Sequence, residues 1–160
     1  MNIDYTKLMK AVIPTIRHCE VLGIKTEEAR EGYLKMYMPW HEKLVGDTDH
    51  GVIHGGALTT LLDTTCGFAS ASALDPWGLA PTLDLRIDYM RPATQGKTIY
   101  AVAEVYRKTP NVIFTRGTAF HEGEEDLPIA HCTATFMQLD HAVSDGLKAW
   151  LKDFEVEGVS

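Results

Sequence analysis

The chain has 160 residues, a net charge of −7, 45% hydrophobic residues and 23% charged residues. This fits one globular domain with a sizeable core, and excludes a mainly disordered chain or two ordinary domains. With a pI near 5.4 the chain is too acidic to favour phosphate backbones, so no nucleic-acid partner is expected.

No uncharged apolar run approaches the ~20 residues of a membrane helix, so no membrane partner is expected. Met1–Lys7 lacks a basic region leading into an apolar one, so no secretory signal is expected. Cys19, Cys66 and Cys132 are odd in number and widely spaced. That argues for a reducing compartment, hence a cytoplasmic location, and against a disulfide or zinc framework.

In chain order, Leu8, Val12 and Ile16 recur at helical spacing with Pro14 as a break, so residues 1–20 read as a helical segment. A strand pair follows, around Gly23–Glu31 and Gly32–Trp40. In the second strand Tyr33, Lys35 and Tyr37 alternate with Leu34, Met36 and Met38. Gly46–Gly51 is a polar loop. The longest helical pattern then runs over roughly Gly55–Ala73, with Leu58, Leu61, Leu62, Thr65, Phe68, Ala69 and Ser72 on one wide stripe. The adjoining face, Thr60, Asp63, Thr64, Gly67 and Ala71, is small and polar and admits a second backbone closely.

From Leu79 to Leu139 the chain reads as strand. Leu83, Leu85, Ile87 and Tyr89 alternate with Thr82, Asp84, Arg86 and Asp88, and Pro92 ends the run. Ile99–Arg107 and Val112–Phe120 are joined by the turn Lys108–Asn111. His121–Asp126 is a second turn, and Ile129–Leu139 is the last strand. Ser144 is a candidate N-cap of a short helix to about Phe154, so 141–160 reads as a C-terminal helical extension. One long helix cannot cover both faces of the sheet. The economical solution is an α+β fold, a single domain over 1–160, in which a curved antiparallel sheet wraps round that helix. The other sheet face and the edges are left for a partner subunit.

The sharpest local feature is His54-Gly55-Gly56 at a helix start, with Asp63 inside the helix. A helix N-terminus carries unpaired N–H groups and partial positive charge. Two glycines clear the side chains, so a ligand oxygen can reach those groups as in an oxyanion site. A tight turn with an unusual entry angle explains the same glycines. Asp63 lies nine residues beyond His54, which is 180° round the helix and ~13–14 Å along it. It cannot serve its own helix N-terminus. If the two act together, Asp63 comes from a second copy of the helix; a structural ion pair is the alternative. Asp47-Thr48-Asp49 lacks the Gly and terminal Glu of a calcium loop. His50 and His54 lack the Glu of a zincin, so no metal is expected. Cys66 has no evident His partner and reads as a buried small hydrophobe. No dinucleotide fingerprint or Walker loop is present.

Between Arg86 and Arg116 six basic residues face only Asp88 and Glu104. Arg91, Arg107 and Lys108 fall at or near strand ends, where they can meet a phosphorylated ligand. Arg86 and Arg116 fit cross-strand pairs equally well.

Gly51–Ala57 followed by Leu61-Leu62-Asp63, with Asp84–Ala93 carrying a Tyr-x-Arg-Pro-Ala end, resembles the hotdog-fold acyl-CoA thioesterases of the phenylacetate-pathway (PaaI-like) type. The likeness covers roughly Gly32 to Leu139. It implies that the long helix is the sausage and the sheet the bun, with sheets paired in a homodimer and dimers assembled into a tetramer. It implies that Gly55 offers its N–H to the thioester carbonyl, with Gly56 beside it. Asp63 of the other subunit then activates water or attacks directly. His54 supports the site, and Thr82 helps to position the water. Thr48 stands where many relatives carry Asn, and is the candidate loop contact to the thioester or the water.

The leading reading is hydrolysis of an acyl-CoA thioester to a carboxylic acid and coenzyme A, without metal or cofactor. The basic strand ends would hold coenzyme A phosphates, and an apolar slot would take the acyl group. The alternative is a non-catalytic acyl-CoA-binding or sensing protein of the same fold. Asp63 discriminates, because a pure binder has no use for an acid aimed at a helix N-terminus. A dehydratase of this fold is a third possibility, but its His–Asp–Glu pattern is not seen. Tyr89, Phe68 and Trp77 are candidates to line an aryl pocket or simply to pack.

Overall fold

The computed structural model describes residues 3–139 and Ala149. The helix expected over 144–154, and with it the 141–160 extension, lies outside the described residues except for Ala149, which is helical. The Asp4 carboxylate accepts the Lys7 N–H at 3.0 Å and starts α1, Tyr5–Val12. Pro14 ends it in a 3-10 turn, Ile13–Thr15, and α2 follows over Arg17–Leu22. Gly23 closes α2 in the left-handed region, which a residue without a Cβ adopts freely. The expected helical segment is therefore two short helices with the break at Pro14.

β1 (Lys25–Arg30) and β2 (Tyr33–Met38) form the expected hairpin. The polar loop contains more structure than its composition suggests. A 3-10 turn at Glu42–Leu44 leads into a small hairpin of β3 (Val45–Asp47) and β4 (Val52–Ile53). The long helix, α3, runs over Gly55–Ser72. Then come β5 (Thr82–Tyr89), β6 (Ile99–Lys108), β7 (Val112–Phe120) and β8 (Ala130–Met137).

Six strands form one antiparallel sheet in the order β1-β2-β6-β7-β8-β5. α3 packs against all six, as a sheet wrapped round a helix requires. The inner face carries Leu34, Met36 and Met38 from β2, Ile99 and Ala101 from β6, and Ile113 from β7, all buried. They meet Leu58, Leu61, Leu62, Cys66 and Ala69 of α3 in one core. Burial of these apolar stripes is the main stabilising term. Ser72, at the end of α3, accepts the Gly32 N–H at 2.9 Å and donates to Arg30 O at 3.1 Å, which fastens the β1–β2 turn to the helix.

The two sheet edges are treated differently. Thr6 of α1 bonds both the N–H and the C=O of Ala29, at 2.9 and 3.0 Å, and covers the β1 edge. The β5 edge has no such cover among the described residues. Leu83, Tyr89 and Met90 on and beside it are 54%, 54% and 58% exposed.

Gly117 of β7 makes room for a thiol pair. Cys66 on α3 and Cys132 on β8 lie with their sulfurs 3.6 Å apart. A Cβ on Gly117 would fall 2.8 Å from the Cys132 sulfur and 3.0 Å from that of Cys66. Both thiols are buried, as expected for Cys66. Gly117→Ala is expected to lower stability by about 1–3 kcal/mol, read as a lower midpoint of denaturant unfolding. An unchanged midpoint would show that the thiols move aside without strain.

Candidate active site

His54 is the N-cap of α3, with extended backbone at φ −60° and ψ 133°. Its Nδ1 accepts the Gly56 N–H at 2.9 Å, which assigns the ring proton to Nε2. The Ala57 N–H bonds the His54 carbonyl at 3.0 Å. The N–H of Gly55 has no acceptor among the described residues, and α3 has no acidic residue in its first turn. One free amide thus stands at the positive end of an 18-residue helix. Gly56 was read as a ligand contact, but its amide is engaged by the His54 ring. What Gly56 supplies is space, since a Cβ there would lie 3.0 Å from Nδ1. Gly46 of β3 does the same for the other side of His54, where a Cβ would come within 3.0 Å of the ring and backbone. Sequence reading missed Gly46, because β3 was read as loop.

A cavity of ≈330 Å³ opens beside Gly55, walled by Ile53, Leu58, Met90, Pro92, Ile99 and Ile129, with Tyr89 at its edge. The lining is almost wholly apolar. Arg91 also borders it, but the guanidinium turns to the β7–β8 turn. There it bonds Leu127 O at 2.7 and 3.0 Å and the Glu124 carboxylate at 2.8 Å. Lys97 beside it, and then Arg91, hold the Glu124 carboxyl below the usual carboxylate range.

Asp63 lies half-buried on the small polar face of α3. Thr82 Oγ1 donates to its Oδ1 at 2.9 Å. Strict alternation along β5 would put Thr82 with Asp84 and Arg86 on the face away from the helix. A bulge between Thr82 and Asp84 breaks the register, and Thr82 turns back toward α3 while Leu83 is left exposed. A second cavity, ≈190 Å³, is bounded here by Asp63, Thr64, Gly67, Phe68, Leu79 and Thr82, and Ile16 and Cys19 of the N-terminal segment close its far side. Phe68 lines this cleft and Tyr89 the other, while Trp77 is buried in the core.

The two cavities share no lining residue. Asp63 lies eight residues beyond Gly55 on α3, about 12 Å of axial rise. One chain brings Gly55 to His54 and Asp63 to Thr82, but not the first pair to the second. Thr48 is exposed in the β3–β4 turn. Next to it the His50 ring, 2.8 Å from Asp47, holds the Asp47 carboxyl below its ordinary range. Lys108 Nζ donates to Ala73 O at 2.7 Å, capping the far end of α3, and Arg107 is exposed beside it. Arg116 pairs with Glu104 across β6 and β7, the cross-strand pair anticipated for it, whereas Arg86 pairs with Asp88 along its own strand. Among the described residues no group of three or more His, Cys, Asp or Glu is placed to hold a metal. No helix there is long and apolar enough to cross a membrane. A hollow of ≈490 Å³ on the outer sheet face, around Gly117, Thr118 and His131, contains none of the candidate residues.

A profile of the Thioesterase superfamily matches residues 50–128, from the turn before His54 to the β7–β8 turn, and so takes in Gly55, Asp63 and Thr82. A solved Pseudomonas aeruginosa protein is 45% identical with a TM-score of 0.75, covering 84% of this chain and 99% of its own. A protein of Halobacterium salinarum, named as an esterase, is 43% identical over 97 residues, 56% of this chain; the match spans 62% of the relative's length. The medium/long-chain acyl-CoA thioesterase YigI of Escherichia coli is 27% identical over 132 residues, 72% of this chain and 81% of YigI. PaaI structures of E. coli and Thermus thermophilus share the fold. The architecture is that of the hotdog-fold thioester hydrolases. The chain belongs to the thioesterase superfamily.

Proposed function

We propose that the protein hydrolyses acyl-CoA thioesters in a composite site, with Gly55 from one subunit and Asp63 from its partner. The observation that carries this reading is the pair of separate cavities. A free amide opens into one, a carboxylate into the other, and no residue lines both. The uncovered β5 edge supplies the means of joining them. β5 has Thr82, beside Asp63, at one end and Tyr89, beside Gly55, at the other. Two β5 strands paired antiparallel about a two-fold axis, end to end, set Thr82 opposite Tyr89 of the partner subunit. Each Asp63 then faces the other chain's Gly55. The outer sheet faces remain for pairing two dimers into a tetramer.

The thioester carbonyl oxygen accepts the Gly55 N–H, which stabilises the oxyanion as it forms. Thr82 holds one Asp63 oxygen and leaves the other for a water. That oxygen takes the water's proton as the water attacks the carbonyl carbon. The tetrahedral intermediate collapses, the C–S bond breaks, and coenzyme A leaves as a thiolate that is then protonated. A thioester is reactive enough for an amide, a carboxylate and a water to suffice, so this reading includes no metal or cofactor. Three cysteines present as free thiols suit a cytoplasmic setting.

The test is hydrolysis of short, medium, long, aryl and hydroxyaryl acyl-CoAs, followed by free-thiol release. Turnover on at least one series is expected, beginning with the medium and long chains that YigI's name indicates. No thiol release from any series would overturn the reading. Arg107, exposed beside the engaged Lys108, is the proposed contact to coenzyme A phosphates. Because Lys108 caps α3, Arg107→Ala is the cleaner variant. It is expected to raise KM for acyl-CoA several-fold with kcat nearly unchanged, and to leave an acyl-pantetheine lacking the nucleotide unaffected. Equal effects on both substrates would show that Arg107 does not read the phosphates.

A further inference from the structure

We propose that Tyr89 sets acyl specificity at the carbon next to the thioester, by fixing the width of the apolar slot where it meets Gly55. The proposal rests on the thioesterase reading above and adds a residue to it. Among the described residues, Tyr89 is the only aromatic side chain lining that slot. Its hydroxyl oxygen lies 3.1 Å from Gly55 O and 2.7 Å from Thr59 Oγ1. Thr59, one turn into the helix, is itself 3.0 Å from Gly55 O. The ring edge lies 3.7–3.8 Å from the point a Cβ on Gly55 would occupy. An acyl carbonyl bonded to the Gly55 amide would therefore carry its first carbons along this ring.

The hydrogen bonds explain why a half-exposed side chain at a strand end holds still. Tyr89 and Thr59 each have one hydroxyl proton. Either Thr59 donates to Gly55 O and Tyr89 to Thr59, or Thr59 donates to Tyr89 and Tyr89 to Gly55 O. Both arrangements use both protons inside the triangle. The Tyr89 proton is thus not free for a leaving group, which makes Tyr89 a positioning residue and not a catalytic one. Past Tyr89 the walls are aliphatic: Ile53, Leu58, Met90, Ile99 and Ile129. They give no hydrogen bond by which to choose among acyl groups, so selection there is by shape. On this proposal the pinned ring, 3.7–3.8 Å from the point a Cβ on Gly55 would occupy, sets the width available at the α-carbon.

Straight-chain acyl groups fit past the ring, and α-branched groups of the same carbon count do not. The experiment compares kcat/KM for a straight-chain and an α-branched acyl-CoA of equal carbon number, in wild type, Tyr89→Ala and Tyr89→Phe. The wild type is expected to favour the straight chain. Tyr89→Ala should shift the ratio toward the branched ester by at least ~10-fold, the range for one methylene in an apolar pocket. Tyr89→Phe keeps the ring but frees it, and should shift the ratio less, in the same direction. A purely structural role for Tyr89 would lower activity on both esters equally, and an unchanged ratio in both variants overturns the proposal. Wild-type turnover on the straight-chain ester tests the thioesterase reading separately, so the two can fail independently.

Discussion

Asp63→Asn is expected to lower kcat by ~100-fold or more while the protein keeps its fold. The substitution preserves shape and volume. Thr82 Oγ1, which donates to Asp63 Oδ1 at 2.9 Å, finds an equivalent acceptor in the Asn carbonyl oxygen. Thr82 and the core beneath α3 therefore have no reason to move, and circular dichroism and thermal midpoint should match wild type. What is lost is the proton acceptor, because an amide does not take a proton from water at neutral pH. KM should change little, since the amide keeps the size and shape of the carboxylate that would face the partner's acyl slot. Near-wild-type turnover in the folded variant would remove Asp63 from the chemistry and leave the Thr82 contact as a structural hydrogen bond.

The elements that carry this argument were legible to different degrees. α3 was read to within one residue, because its apolar stripe has a clear helical period and His54-Gly55-Gly56 marks its start. The β2 alternation and the two turns among the last strands were equally plain. Thr82 was not legible from the pattern. Period-2 reading assigns it to the outer face, and only the bulge at Leu83 returns it to Asp63. A bulge arises from the pairing partner β8, which a local window does not see. The β3–β4 hairpin was missed for a similar reason, as two strands of three and two residues are too short to leave a periodic signal. Charge was the least transferable cue. Strand-end position suggested phosphate contacts for Arg91 and Lys108, yet both guanidinium and ammonium find carbonyl or carboxylate oxygens within the chain. Which cation is tied and which is free depends on where turns and helix ends fall in space.

Mixing Asp63→Asn chains with Gly55→Pro chains is expected to restore activity that neither variant has alone. Proline removes the one amide proton proposed to polarise the carbonyl. The position tolerates it. Gly55 is the first residue of α3, where proline's fixed φ suits the helix and no intrahelical N–H bond is lost. His54 before it is already extended at ψ 133°, as a residue preceding proline must be. The nearest atoms to a Cβ at Gly55 are those of Tyr89, no closer than 3.5 Å, which is ordinary contact. The variant should therefore fold, and its thermal midpoint checks this. In a mixed dimer one site combines both lesions. The other combines the intact Gly55 of the Asp63→Asn chain with the intact Asp63 of the Gly55→Pro chain. Each mixed dimer should show about half the wild-type activity. Random exchange of equal amounts makes half the dimers mixed, so the solution should recover about a quarter. Exchange is confirmed by tagging one variant and recovering the other with it. If the chains exchange and no activity returns, each site is built within a single chain. The ~12 Å of helix between Gly55 and Asp63 would then have to be bridged by the substrate or by a movement of β5, and the dimer would serve only to cover the exposed edge.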